Sequence, residues 1–250
     1  MTNNNMYFVA NWKMFGNLSS VYTLNKVIKL TKNKRFTKFR IIYCPPYTLI
    51  NEFVKKTKKN KILVGAQDCH YVNSVGPFTG SVSANQIKNL GAKYIILGHS
   101  EKRSSGDTNQ IVNKKIISAL SENLKVILCI GETLDQKKKG LTKNVILKQL
   151  SDCLKNIKNL KNIIIAYEPI WSIGTGKILD YLELDNIITK IKNTLKKKYK
   201  MKNSKVLYGG SVNSKNILYI KKVKGINGFL VGSASQNQNK FVDILEKSII

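Results

Sequence analysis

Eight short apolar runs, separated by stretches of helical periodicity, constrain this chain more than anything else in it. They lie at 7–10, 40–44, 62–66, 94–97, 126–130, 163–167, 206–208 and 228–231, recurring about every thirty residues. The runs are dense in β-branched residues and do not alternate apolar with polar, the pattern of strands buried on both faces of a parallel sheet. Between them apolar residues recur at helical spacing, as at Val21, Leu24 and Ile28, at Ile111, Ile116 and Leu120, and at Ile187, Ile188, Ile191 and Leu195. Repeated βα units over 250 residues, without a low-complexity linker, favour a closed (β/α)8 barrel. That is an α/β fold of eight parallel strands inside a ring of helices, forming a single domain over 1–250. Periodicity alone leaves an open doubly wound sheet as the alternative.

A barrel of this kind carries its chemistry at the C-terminal ends of its strands. The first run ends in Asn11-Trp12-Lys13, the fourth in Gly98-His99-Ser100-Glu101, the sixth in Glu168, the seventh in Gly209-Gly210-Ser211 and the eighth in Gly232-Ser233-Ala234. Polar, titratable and glycine residues therefore gather at one end of several strands. After Glu168, Pro169 stops the pairing and a loop with Gly174 and Gly176 follows. A carboxylate at the mouth of a buried strand, beneath a movable cover, suits a general base that works away from water. The plainer reading of the same position is an acid capping the next turn. Lys13 directly follows a buried strand, where a solvated helix face does not explain it. His70 has no ligand-type or catalytic company and reads as structural.

Charge raises a different suspicion. The chain has 43 Lys and Arg against 14 Asp and Glu, a formal net charge of +29, which points toward nucleic acid or another anionic surface. The distribution argues against a specific nucleic-acid partner. The lysines are spread over well-separated stretches on candidate helix faces, and arginine, the favoured phosphate fork, occurs only at Arg35, Arg40 and Arg103. Compositional drift toward Lys, Asn and Ile accounts for the excess.

Cys44, Cys69, Cys129 and Cys153 form no C-x-x-C pair and read as buried free thiols, neither a disulfide framework nor a metal site. No apolar run approaches the roughly 18 residues of a membrane span. Met1-Thr2-Asn3-Asn4-Asn5 lacks a basic leader, so a cytoplasmic location is expected.

Taken together, Ala10-Asn11-Trp12-Lys13-Met14, Gly98-His99-Ser100-Glu101, Cys129-Ile130-Gly131-Glu132-Thr133-Leu134, Ala166-Tyr167-Glu168-Pro169-Ile170-Trp171, Ile173-Gly174-Thr175-Gly176-Lys177, Tyr208-Gly209-Gly210-Ser211-Val212 and Gly228-Phe229-Leu230-Val231-Gly232 resemble the triosephosphate isomerase family. The match runs essentially the full length, and the ordered set is far more specific than any one piece. The resemblance implies cofactor-free, metal-free exchange of D-glyceraldehyde 3-phosphate and dihydroxyacetone phosphate, by the mechanism established for the family. Glu168 would be the base and His99 the neutral imidazole that polarises the carbonyl. Lys13 would bring a cation to the developing enediolate, with Asn11 orienting it. Glu101 would either pair with Lys13 in a supporting network or cap the following helix. Gly174, Ser211, Gly232 and Ser233 would offer N–H donors to the substrate phosphate. The cover loop, including Pro169, Trp171 and Thr175, would close over the substrate and be latched by Tyr208. A homodimer would form through loop 71–80, with Thr79 bracing the partner.

The chain departs from that pattern in places. Ser233 stands where a second glycine is usual, and its Cβ crowds a phosphate donor. Ser81 replaces a glutamate, Lys102 replaces an arginine, and the segment 104–106 is short; these changes touch the expected dimer contact. The rival readings are another phosphate-binding barrel enzyme and a basic barrel with an additional anionic-partner role. The first has no reason to combine Asn11, Lys13, His99 and Glu168.

Overall fold

The structure, a computed structural model, describes residues 5–249; the opening Met1 to Asn4, considered above for a leader, lies outside them. Eight parallel strands close in sequence order: β1 Met6–Asn11, β2 Phe39–Cys44, β3 Leu63–Ala66, β4 Tyr94–Leu97, β5 Lys125–Ile130, β6 Ile163–Tyr167, β7 Lys205–Tyr208 and β8 Ile226–Val231. Closure comes from β1 pairing with β8 through Tyr7↔Gly228 to Ala10↔Val231. The open-sheet alternative is thereby excluded. Among the described residues the β7–β8 pairing alone is irregular, with a register shift between Val206 and Tyr208.

The lack of apolar–polar alternation in the strands follows from two layers of core. Alternate residues point into the barrel, where Val9, Ile42, Ile96, Ile127, Ala166 and Leu207 pack together. The intervening ones, among them Phe8, Ile41, Ile95, Val126 and Ile165, pack outward against the helices. On the helix Asn109–Ser121 the fully buried side is Val112, Ile116 and Ala119, one step round from the expected Ile111 and Leu120. The helix Tyr181–Tyr199 buries Leu184, Ile188, Ile191 and Leu195, close to expectation, and carries lysines on its outer face.

All four cysteines are buried and free. His70 accepts from the Val72 N–H and lies 4.3 Å from both the Tyr71 and Phe78 rings, an aromatic packing role within loop 71–80. Among the described residues no helix is long and apolar enough to cross a membrane.

Candidate active site

Pleat parity delivers most of the site. Two residues beyond inward-facing Val9 stands Asn11, and two beyond Ala166 stands Glu168, so both side chains enter the barrel mouth. Parity would turn His99 outward. Gly98, with φ +71°, re-aims the chain instead, and His99 becomes the N-cap of the helix Ser100–Ser104. Lys13 also holds a left-handed backbone, φ +55°, an unfavourable state for a residue with a Cβ. Its N–H donates to Asn11 Oδ1 at 3.1 Å, which fixes the turn.

A cavity of about 210 Å³ opens at this mouth. Asn11, Lys13, His99 and Glu168 line it, as do Gly174, Ser211, Gly232 and Ser233. Eight residues singled out from distant parts of the chain thus meet around one small volume. Glu101, Pro169, Trp171, Thr175 and Tyr208 stand behind the lining, and Thr79 is exposed elsewhere.

Glu168 is 2% exposed. Burial raises its pKa above the ordinary carboxylate value, while His99, the Cys129 thiol, the Ser100 N–H and Lys13 pull in the other direction. Its Oε1 lies 3.4 Å from His99 Nε2. His99 Nδ1 accepts from the Glu101 N–H at 3.2 Å, so its lone pair is engaged and the hydrogen-bond network assigns the ring proton to Nε2. The imidazole therefore aims a donor into the cavity beside a carboxylate.

Glu101 is paired with Lys13 and does not cap the following helix. Its carboxylate meets Lys13 Nζ at 2.5 Å, and the helix cap that was the alternative is supplied by His99. Lys102 reaches Asp68 at 3.2 Å, a partner for the lysine that stands in an arginine's place.

Several residues important to this geometry carried no assigned role in the sequence reading. Glu132 is 0% exposed and accepts from Trp171 Nε1 at 2.9 Å and from the Tyr167 hydroxyl. It anchors the start of the cover loop, and burial raises its pKa. The signal that singled out Glu168, an acid just past an apolar run, applies equally to Glu132. Gly131 matters by absence: a Cβ there would overlap the Glu168 carbonyl. Arg103 donates to Gly98 O at 2.7 Å, Cys129 O at 3.3 Å and Asn109 Oδ1 at 2.7 Å, tying the ends of β4 and β5.

Ser172 joins three separate segments. Its fully buried hydroxyl donates to Lys177 O at 2.5 Å, accepts from the Ser211 N–H at 3.2 Å, and lies 3.3 Å from the Tyr208 hydroxyl. With its one proton committed to Lys177, Tyr208 must be the donor in the last contact. The two limbs of the cover loop and the end of β7 thus meet on one oxygen. Thr175 adds a bond from its hydroxyl to Ser172 O at 3.0 Å.

The triosephosphate isomerase family model matches residues 6–248. The chain belongs to the triosephosphate isomerase family. It is 41% identical over 244 residues to the triosephosphate isomerase of Zygosaccharomyces bailii, covering 96% of this chain and 97% of that protein. Identity to that of Malacoplasma penetrans is 38% over 246 residues, covering 95% and 96% respectively. The crystal structure of triosephosphate isomerase from Bartonella henselae superposes with a TM-score of 0.89 at 30% identity, over 97% of this chain and 98% of that one. The closed eight-strand parallel barrel is the fold shared with that structure.

Proposed function

We infer that this chain interconverts D-glyceraldehyde 3-phosphate and dihydroxyacetone phosphate by proton transfer through an enediolate. The observation that carries the reading is the pairing of a buried, pKa-raised Glu168 with an Nε2–H donor on His99, 3.4 Å apart in the cavity. Glu168 takes a proton from the carbon beside the carbonyl. His99 Nε2–H and the Lys13 ammonium stabilise the oxygen that becomes negative, which is where preorganised donors act most strongly. His99 passes a proton from the hydroxyl oxygen to the former carbonyl oxygen, and the proton on Glu168 returns to the neighbouring carbon, so the sequence is redox-neutral. Asn11 holds Lys13 through its backbone, and Glu101 holds the ammonium.

The N–H groups of Gly174, Gly232 and Ser233 bind the phosphate, joined by the Ser211 N–H once it exchanges its Ser172 Oγ contact for the substrate. The cover loop, with Pro169, Trp171 and Thr175, excludes water while the enediolate exists, and Tyr208 with Ser172 fastens it. The working unit is a single domain over 1–250, assembled as a homodimer in the cytoplasm. Support for the dimer is exposed apolar side chains in loop 71–80 and just after β1: Val75 is 93% exposed and Met14 100%, with Tyr71, Phe78 and Phe15 also exposed. Thr79 lies in that loop and would brace the partner.

The test is kcat/KM for glyceraldehyde 3-phosphate in a coupled assay, with Glu168→Ala purified in parallel. The reading requires a value approaching the diffusional ceiling of about 10⁸–10⁹ M⁻¹s⁻¹, for which this family is a standard example, and collapse in the variant. Activity no greater than that of Glu168→Ala would sink it.

A further inference from the structure

A larger cavity, about 530 Å³, opens at the opposite, N-terminal end of the barrel. That volume falls within the usual range of small-molecule sites, about 300–1,000 Å³. Lys125, Lys158, Lys161, Lys200, Lys202 and Lys205 line it, and no carboxylate does. In so basic a chain a lysine-lined surface alone would mean little. Lys125 and Lys205 differ from the helix-face lysines because the pleat dictates where they stand.

Each precedes an inward-facing core residue by two positions, Ile127 on β5 and Leu207 on β7, so each belongs to the inner face of the barrel. Arg40 stands in the same relation to Ile42 on β2, and its charge acts on Tyr94 of the cavity wall. The strand register sets Lys125 beside Tyr94, with its ammonium 5.5 Å from the ring centre, and Lys205 beside Ile164. Two strands thus present cations to this cavity, and a third brings Arg40 close enough to act on its wall.

The surroundings do not neutralise them. Half-buried Lys192 donates to Asn227 Oδ1 at 3.0 Å, a neutral partner, and burial together with the Lys205 charge lowers its pKa. Asp152, whose charge reaches Tyr199 of the rim, accepts from Asn109 at 2.9 Å and pairs with Lys148 at 3.3 Å. Like charges gathered around a concave mouth attract a compact counter-ion, because the surrounding protein focuses the field. A monophosphate would offset only part of such a charge.

We propose that the N-terminal mouth of the barrel is a second, non-catalytic binding site for small polyphosphate anions. Inorganic triphosphate and a nucleoside triphosphate share the required chemistry. The rings of Tyr7, Tyr94 and Tyr199 in the wall offer apolar surface that a nucleoside could use and an inorganic chain could not.

The test compares the wild type with Lys125→Gln/Lys205→Gln and with Lys29→Gln/Lys32→Gln, a pair matched in charge on and just after the helix Leu24–Thr31. Calorimetric titration with ATP and with inorganic triphosphate at physiological ionic strength, where surface charges are screened beyond about 8 Å, reads the affinities. The expected result is one site per chain, weakened at least about tenfold in the floor pair and less than about twofold in the control pair. Tighter ATP than triphosphate would assign the nucleotide as the source; equal binding would assign the polyphosphate chain. Removing like charges should leave the fold intact, and Lys158→Gln/Lys161→Gln gives the same readout from the rim if it does not. Equal losses in floor and control pairs, displacement by dihydroxyacetone phosphate, or no binding to the wild type would each overturn the site. So would a preference for an RNA oligonucleotide that the floor substitutions leave unchanged.

Discussion

Glu168 and His99 meet across the barrel mouth, Oε1 to Nε2 at 3.4 Å, with the imidazole proton assigned to the shared side. The carboxylate is buried and its pKa lies above the ordinary 4.5. A base must be ionised to act, so kcat should fall as pH drops, with an acid limb centred above 4.5. Reading kcat, which reports the bound complex, separates Glu168 from the free substrate's phosphate, whose second pKa is about 6. Glu168→Gln should lower kcat by about 10²–10⁴-fold and abolish the acid limb. An unchanged profile in that variant would remove Glu168 as the base.

Ser172 joins both limbs of the cover loop to Tyr208 and to the Ser211 N–H. Ser172→Ala should leave those donors without a buried partner, costing about 1–3 kcal/mol of stability. Combined with Tyr208→Phe, the losses should be less than additive by at least about 0.5 kcal/mol. Strict additivity in a double-mutant cycle would mean that the two hydroxyls do not work together.

Ser233 places a Cβ beside the phosphate donors lining the cavity. Ser233→Gly should lower KM about two- to fivefold with kcat little changed, the signature of altered uniform binding. A KM that stays the same or rises counts against crowding.

Burial of Glu132 has a thermal consequence. Its folded pKa is raised, so its charged form opposes folding. That cost is absent below the unfolded pKa and grows in as pH rises through the folded value. Glu132→Gln keeps an acceptor for Trp171 and lets the Tyr167 oxygen accept from the new amide. It should therefore raise Tm by about 2–4 °C at pH 8, a shift worth roughly 1 kcal/mol in a chain of this size, and by less at pH 4.5. Calorimetry at both pH values checks this; destabilisation at pH 8 would show that the charge itself holds the loop.

With +29 on each subunit, association works against repulsion. The dimer should tighten as salt rises, while kcat/KM falls because steering of the anionic substrate is screened. Light scattering and steady-state rates across about 10–300 mM salt follow both trends over the range where the screening length shrinks from about 30 Å to below 8 Å. A monomer throughout, or a dimer indifferent to salt, would refute the association half; flat kinetics would refute steering.

The architecture was legible because both faces of each strand are buried, which writes continuous apolar runs into the sequence. Strand-end placement drew attention to Asn11, Lys13 and Glu168, and the family resemblance supplied their roles. His99 was found through its motif, since its orientation depends on the φ of Gly98, which a sequence does not display. Ser172 escaped notice because a serine in a loop is ordinary until its three partners, at Lys177, Tyr208 and Ser211, are folded around it. The two-sided identity of Lys125 and Lys205 was hidden in the charge total, where a lysine turned into a barrel counts the same as one on a helix face.

Arg103 gives the mouth a mechanical property. One planar cation grips the carbonyl before His99 and the carbonyl of Cys129, whose thiol contacts Glu168, and it braces itself on Asn109. The acceptors diverge, so a fork spans them where the single point of an ammonium does not. The ends of β4 and β5 are consequently fastened to one side chain. A substitution that removed that fork would release the backbone before His99 and the strand end whose Cys129 thiol contacts Glu168 at the same time.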